Sequence, residues 1–372
     1  MEHAIEVQSI ADLNAALAAG VPPSRLRLQD LDLREHGQLL ARADLRGMVV
    51  LGGHLNPTLE AHLRTAGALV FPDDAAAAPI NPYRATLYRA EELYFGLAKG
   101  YAQTVDARAY QWAQRGHVHR DILATLLRAI HDDSISDALD EFVGARPVVG
   151  VMGGHDLARD TSGYAAAARL GCDLAGRGLL VATGGGPGAM EAANLGAACP
   201  DLEVLEAVLP QLAAVPHYAG DLEAWARSAF VALAQIRERA STAPTTGGSL
   251  GIPTWFYGHE PPNVFGEGIA KYFSNALREE GLLARANAGL IVLPGAAGTV
   301  QEVFQAATRA YYSPGPVAPL VLVGHAHWTQ TVPAWPTLQA LGRGRPMAAT
   351  IHLVDTTDEA RDVVSAASPG GT

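Results

Sequence analysis

Residues 147–190 read PVVGVMGGHDLARDTSGYAAAARLGCDLAGRGLLVATGGGPGAM. Val148 to Met152 is a short apolar run of the kind that forms a strand buried on both faces. Gly153-Gly154-His155 ends it, and Ser162 to Ala175 has helical spacing, closed by Gly176 and Gly178. A second strand, Leu179 to Ala182, runs into the turn Thr183-Gly184-Gly185-Gly186-Pro187-Gly188-Ala189-Met190, which opens an Ala-rich helix through Ala198. Strand, helix, strand and helix at this spacing imply a parallel sheet with right-handed crossovers.

Roughly 110 residues further on the pattern returns. Leu290 to Leu293 is a core strand followed by Pro294-Gly295-Ala296-Ala297-Gly298-Thr299-Val300-Gln301-Glu302 and a helix to about Tyr311. Leu320–Val323 and Ile351–Val354 read as two more strands. Between the turns, Val204 to Leu209 reads as a third strand and Asp221 to Ala240 as an amphipathic helix. Ser241 to Pro262 reads as a Gly/Pro-rich loop carrying Trp255, Phe256, Tyr257 and His259, with a long helix from Phe265 to Ala284.

Upstream, Gly47–Leu51 and Ala68–Phe71 read as strands around a helix from Pro57 to Ala66, and Asp73 to Pro82 as a loop. Tyr83 to Phe142 is mostly helical, with Leu123, Leu126, Leu127 and Ile130 spaced as one apolar stripe. Val49-Val50-Leu51-Gly52-Gly53-His54 echoes Gly150-Val151-Met152-Gly153-Gly154-His155, through duplication of an α/β unit or through chance at strand ends. The expected fold class is therefore α/β: a Rossmann-like parallel sheet flanked by helices over residues 146–372, with a smaller α/β and helical region over 1–145.

Composition sets the outer limits. A length of 372 residues suits two domains, and 49% hydrophobic with 17% charged residues describes a chain with a large core. A net charge of −11 without a Lys/Arg-rich run argues against nucleic-acid polymer as a partner. Cys172 and Cys199 are too few for a disulfide framework. The N-terminus lacks the basic-then-apolar form of a signal peptide, and no apolar run approaches the ~20 residues of a membrane span. A cytoplasmic enzyme without membrane partners is expected.

Both turns occupy the strand–turn–helix setting in which backbone N–H groups and a helix N-terminus hold a phosphate. Gly184, Gly186 and Gly188 fall at every second position, so the G-x-G-x-x-G dinucleotide fingerprint is not met and NAD is disfavoured. In the second turn, Thr299 and Glu302 have the spacing of a capping box, which needs no function. The functional alternative places a phosphate on Gly295 to Thr299 and the Glu302 carboxylate beside a sugar. Trp255, Phe256 and Tyr257 either stack on a base or cover the core. His155, His259, His325 and His327 share no ligand spacing with Cys or carboxylates, so no metal is expected.

GGGPGAM together with PGAAGTVQE resembles the LOG-type proteins, nucleoside 5′-monophosphate phosphoribohydrolases once labelled lysine decarboxylases. Gly153-Gly154-His155 and Pro261-Pro262-Asn263 resemble their longer bacterial nucleotide-nucleosidase branch, and the likeness spans Val148 to Tyr311. It implies hydrolysis of an N-glycosidic bond to free base and ribose 5-phosphate, with no metal or cofactor. It places Gly295, Gly298 and Thr299 on the phosphate, Glu302 at the ribose, and a catalytic Arg on the preceding helix: Arg278, with Arg285 as substitute. Gly153, Gly154, His155, Gly184, Gly185, Gly186, Gly188, Met190 and Asn263 complete the implied substrate site. Ala296 and Gln301 depart from the PGGxGTxEE form of the pattern. A homodimer or larger homo-oligomer is also implied, through Glu302–Ala310 and Lys271–Leu283. Two other readings stand beside this one: a nucleotide-binding or sensing module without turnover, and a molybdenum cofactor carrier. Amino-acid decarboxylation is disfavoured, because no lysine stands in a pyridoxal-phosphate setting.

Overall fold

Strands recur at intervals of about 20 residues from the start of the chain: β1 (Ile5–Val7), β2 (Leu26–Gln29), β3 (Val49–Leu51) and β4 (Leu69–Phe71). The computed structural model describes residues 5–71, 78–118, 121–240, 247–257, 260–313, 315 and 317–367. They fall into two units, Met1–Leu87 with Arg108–Leu139, and Tyr88–Ala107 with Asp140–Thr372.

In the first unit β1 to β4 pair side by side, all parallel and in chain order. Alternation along each strand sends neighbouring side chains to opposite faces. Val7, Leu28 and Val50 join Leu13 and Leu17 of α1 (Ile10–Ala18) and Leu59 and Leu63 of α2 (Pro57–Thr65) in one core. Leu51 points the other way, onto Tyr83 and Leu127.

The second unit holds the larger parallel sheet. Its strands are β5 (Val148–Met152), β6 (Leu180–Thr183), β7 (Gly248–Gly251), β8 (Gly268–Ile269), β9 (Gly289–Val292), β10 (Leu320–Val323) and β11 (Ile351–Val354), in the order β11-β10-β9-β5-β6-β7-β8. Every neighbouring pair is parallel. Chain direction across the sheet reverses between β5 and β9, the switch point at which open α/β sheets leave a crevice beyond their carboxyl ends. Both glycine turns follow strands that flank β5, so both open at that edge. Helices flank the sheet, as expected of a Rossmann-like architecture: α6 (Ser162–Gly176) packs on α7 (Ala189–Ala198), and α13 (Thr357–Ala367) against β9 and β10.

Several elements depart from the sequence reading. Val204–Leu209 is not a strand but the middle of the helix α8 (Leu202–Ala213), whose first turn Asp201 caps by accepting the Val204 N–H at 2.9 Å. Its apolar residues bury one helical face, a pattern a short window cannot separate from a strand. Part of the expected loop is β7, and the expected helix from Phe265 contains β8 and begins only at α10 (Asn275–Arg285), capped by Ser274. On α5 (Ile122–Val143) Leu123 and Leu126 are exposed and Leu127 is buried, because the inward face carries Ala124, Leu127, His131 and Ile135. The echo of Gly52-Gly53 at Gly153-Gly154 stops at residue type: the former pair has positive φ, 60° and 79°, and the latter has not.

A linear cut at 145/146 also misses the segment Tyr88–Ala107, which holds α3 (Ala90–Leu93) and belongs with the larger sheet. Tyr88 bridges Ile269 in antiparallel fashion, and the Tyr94 hydroxyl donates to Pro262 O at 2.6 Å. Asp106, at the start of α4 (Val105–Val118), accepts from Lys271 Nζ at 2.6 Å, from Trp255 Nε1 at 2.8 Å and from the Tyr101 hydroxyl at 2.6 Å. Such ties between distant residues have no sequence signal.

Candidate functional site

The loop after β5 joins the two turns. Gly154 N–H donates to Pro294 O at 3.1 Å, while Gly154 O accepts from Ala189 N–H at 3.0 Å. Glycine is required at this junction. A Cβ on Gly188, whose φ is +70°, would lie 2.5 Å from Gly154 O, and one on Gly153 would lie 2.8 Å from Ala189 Cβ.

The first turn is braced from beneath. Thr183 Oγ1 accepts the Gly185 N–H at 2.9 Å, and Asn263 takes Gly185 O with its own N–H and Gly186 O with its side chain. The Asn263 side chain also donates to Asn194 Oδ1 at 2.9 Å and accepts from Phe265 N–H at 3.1 Å. Asn263 therefore holds the turn in shape. Met190 lies across the same backbone, its sulfur 2.6 Å from where a Gly184 Cβ would stand.

The second turn begins α11 (Ala297–Tyr312). Its N-cap is Ala296, which offers no side-chain bond, so Thr299 sits inside the first turn and Glu302 one turn later. The capping-box reading of Thr299 and Glu302 is thereby overturned. The N–H groups of Ala297, Gly298 and Thr299 have no partner among the described residues. A Cβ on Gly298 would meet open space, so this helix end is bare as well as polar. Ala296 has a φ of −108°, a conformation in which alanine is unstrained. His327 touches the turn from behind, with Nε2 3.1 Å from Gly295 O. The His325 N–H donates to Asp355, and no cluster of metal-ligating side chains exists among the described residues. His259 lies outside them.

Arg278 and Glu302 meet between the turns. Arg278 Nη1 is 3.3 Å from Glu302 Oε1, Nε donates to Ile252 O at 2.7 Å, and Nη2 donates to Gly184 O at 3.2 Å. A Cβ on Gly184 would stand 2.0 Å from Nη2 and 2.6 Å from the Met190 sulfur, so a larger residue there displaces the guanidinium. Arg285 is elsewhere: its Nε donates to Asp140 at 2.9 Å. Burial raises the pKa of the Glu302 carboxyl above the ordinary carboxylate value, and the Arg278 charge opposes that shift. Glu279 and Glu260 raise it further.

Two residues here were missed by the sequence reading. Glu279, buried beside the pair, accepts from Asn275 Nδ2 at 2.6 Å and from Gln301 Nε2 at 2.7 Å. Gln301, read as a departure from an acidic pair, is the donor that this carboxylate needs. Glu260 lies 3.6 Å from His155 Nδ1 and 3.5 Å from the Cβ position of Gly186. Its only signal was its place before Pro261-Pro262-Asn263. Trp255 belongs to the core, stacked on Phe273 at 4.4 Å, whereas Phe256 and Tyr257 are exposed.

Fold and turns define a Rossmann-like α/β protein with a candidate ligand crevice at the switch point of its sheet. Residues 146–201 match the model of the SLOG cluster4 family, which is related to the LOG-type Rossmann-like proteins. The matched stretch contains the β5 loop and the first turn and stops before the second. No curated protein matches the sequence. Among solved structures, the chain is similar to the molybdenum cofactor binding protein of the phototrophic bacterium Rippkaea orientalis, at 14% identity and a TM-score of 0.38, covering 60% of this chain and 98% of that one. It is likewise similar to the molybdenum cofactor carrier protein MCP of Chlamydomonas reinhardtii, at 18% identity and a TM-score of 0.36, over 60% and 98% of the two chains.

Proposed function

We propose that the protein hydrolyses the N-glycosidic bond of a nucleoside 5′-monophosphate, giving free base and ribose 5-phosphate. The observation that carries this reading is the Arg278–Glu302 pair, 3.3 Å apart and set between a bare helix N-terminus and the first glycine turn. The N–H groups of Ala297, Gly298 and Thr299 take the phosphate, where the helix dipole favours negative charge. Glu302 then faces the ribose. As the C1′–N bond breaks, positive charge grows on C1′ and the ring oxygen, and the carboxylate stabilises it. Water adds its hydroxyl to C1′, and its proton is balanced by protonation of the departing base. Arg278, fixed by two carbonyls, holds Glu302 ionised and aimed against a burial that favours the neutral acid.

The chain acts on small nucleotides as a homodimer or larger homo-oligomer in this reading, with no cofactor of its own. No helix among the described residues is long and apolar enough to cross a membrane. The test is incubation with a panel of nucleoside 5′-monophosphates and chromatography for released base. Nucleotide binding without base release turns the reading into that of a binding or sensing module. A tightly bound pterin carried through purification makes it a cofactor carrier.

A further inference from the structure

A cavity of about 220 Å³ opens beside the first turn, and of its lining only His155 and Gly188 belong to the substrate site implied by the sequence. His155, Pro187, Gly188, His217, Tyr218 and Trp225 line it, with the Arg159–Glu191 pair in its wall. The loop between α8 and α9 (Leu222–Ala240) contributes His217 and Tyr218, and Pro216 O fixes that loop by accepting the Arg159 N–H at 3.2 Å. Trp225 is buried, with the Arg159 guanidinium 4.5 Å over its ring and the Tyr218 ring at 6.1 Å, edge to face.

We infer that this cavity is the nucleobase subsite of the nucleotide whose phosphate rests on the N-terminus of α11. The inference rests on the proposed function for the identity of the ligand, and on three observations for its position. First, the cavity and the phosphate turn share one piece of backbone: Gly154 bonds Pro294 O on one side and Ala189 N–H on the other, and His155 continues it into the cavity wall. Second, the charges suit a neutral ring and not a phosphate. The one guanidinium in the wall is neutralised by Glu191, with Arg159 Nη2 2.5 Å and Nε 2.8 Å from its two oxygens. Asp156, also in the lining, lies 3.1 Å from His155 Nε2, and Glu260, outside it, lies 3.6 Å from Nδ1. Third, Tyr218 offers an aromatic face, and its hydroxyl makes no hydrogen bond among the described residues, so it remains available to a base edge. Burial raises the pKa of both the Tyr218 hydroxyl and the Glu302 carboxyl, and the Glu260 charge adds to each. The exposed Phe256 and Tyr257 form the competing location, the Tyr257 hydroxyl accepting from Asn275 Nδ2 at 3.3 Å at the start of the helix that carries Arg278.

The test compares ligands with and without a base. Calorimetric titration of the full chain with adenosine, guanosine, cytidine and uridine 5′-monophosphates is set beside titration with ribose 5-phosphate. Tyr218→Ala is expected to weaken the best nucleotide by about 10-fold or more, the scale of one lost aromatic–base stack, while ribose 5-phosphate affinity changes less than about twofold. His217→Ala, an exposed substitution that spares the fold, is expected to show the same selectivity at about threefold. Equal losses for both ligands, no loss for either, or a nucleotide-selective loss on Tyr257→Ala alone overturns the subsite. Selective loss with no base release by the wild type leaves the subsite standing and removes the hydrolase reading. Base release with unselective affinities does the reverse, and a wild type that binds no nucleotide removes both.

Discussion

Replacing Glu302 by Gln separates charge from shape at the centre of the site. The amide keeps the volume and an oxygen within reach of Arg278 Nη1, 3.3 Å from the present carboxylate, and Arg278 keeps its bonds to Ile252 O and Gly184 O. Only the negative charge is lost. A unit charge developing about 5 Å from that carboxylate is stabilised by roughly 3 kcal/mol at an effective dielectric of about 20. At 1.36 kcal/mol per tenfold, base release should fall by about 10²-fold. The substitution leaves the buried Arg278 guanidinium without its counter-charge, a destabilisation of up to roughly 3–5 kcal/mol that its bonds to Ile252 O and Gly184 O moderate, so the melting temperature should fall and turnover is compared at a temperature where both proteins are folded. Nucleotide affinity should persist, since the phosphate donors are backbone groups. Wild-type activity should also fall on the acid side at a pH above that of an ordinary carboxylate, because burial raises the pKa of the group that must be ionised. The assay is chromatographic base release with calorimetric affinity and thermal melting on the same preparations. Unchanged turnover with unchanged affinity would refute the role given to Glu302.

Gly184→Ala places a methyl 2.0 Å from Arg278 Nη2, so base release should drop on the order of 10²-fold while circular dichroism stays native. A loss of activity below threefold would show that Arg278 need not stand there. Gln301→Glu removes the donor 2.7 Å from the buried Glu279 and sets a like charge against it, for a destabilisation of roughly 1–2 kcal/mol read by denaturant titration; equal stability would dismiss Gln301 as a partner. Glu6, in the first unit, has its pKa raised to about 7 by burial and by Asp137. A carboxyl that binds its proton more tightly when folded favours folding below its unfolded pKa, and that gain is lost as pH rises through about 7. Glu6→Gln should therefore flatten the fall in melting temperature between about pH 5 and pH 8, and an unaltered profile would contradict the assignment. Light scattering at micromolar concentration should give a homodimer or larger, and a monomer would remove that proposal.

The sequence by itself determined the parts whose cause is local. Val148–Met152, Leu320–Val323 and Ile351–Val354 have the same bounds in sequence and structure, because each is a short run rich in β-branched and aliphatic residues, too short for a helix. The turns are legible because glycine marks positions where a Cβ has no room, as at Gly188, whose φ is +70° and whose Cβ would lie 2.5 Å from Gly154 O. Val204–Leu209 was misread because six apolar-rich residues carry no period, and the Asp201 cap, which decides the matter, is a single side chain. The tertiary structure alone decided what faces what. Arg278 and Arg285 lie two turns apart on α10, and the sheet order sends one to Glu302 and the other to Asp140. Thr299 and Glu302 have the letters of a capping box, and the start of α11 three residues earlier, with Ala296 at the N-cap, removes it. Glu260, Glu279 and the ties of Asp106 to Lys271 and Trp255 join residues far apart in the chain. Such contacts depend on strand order and on the path of loops, and neither is written in any local run of residues.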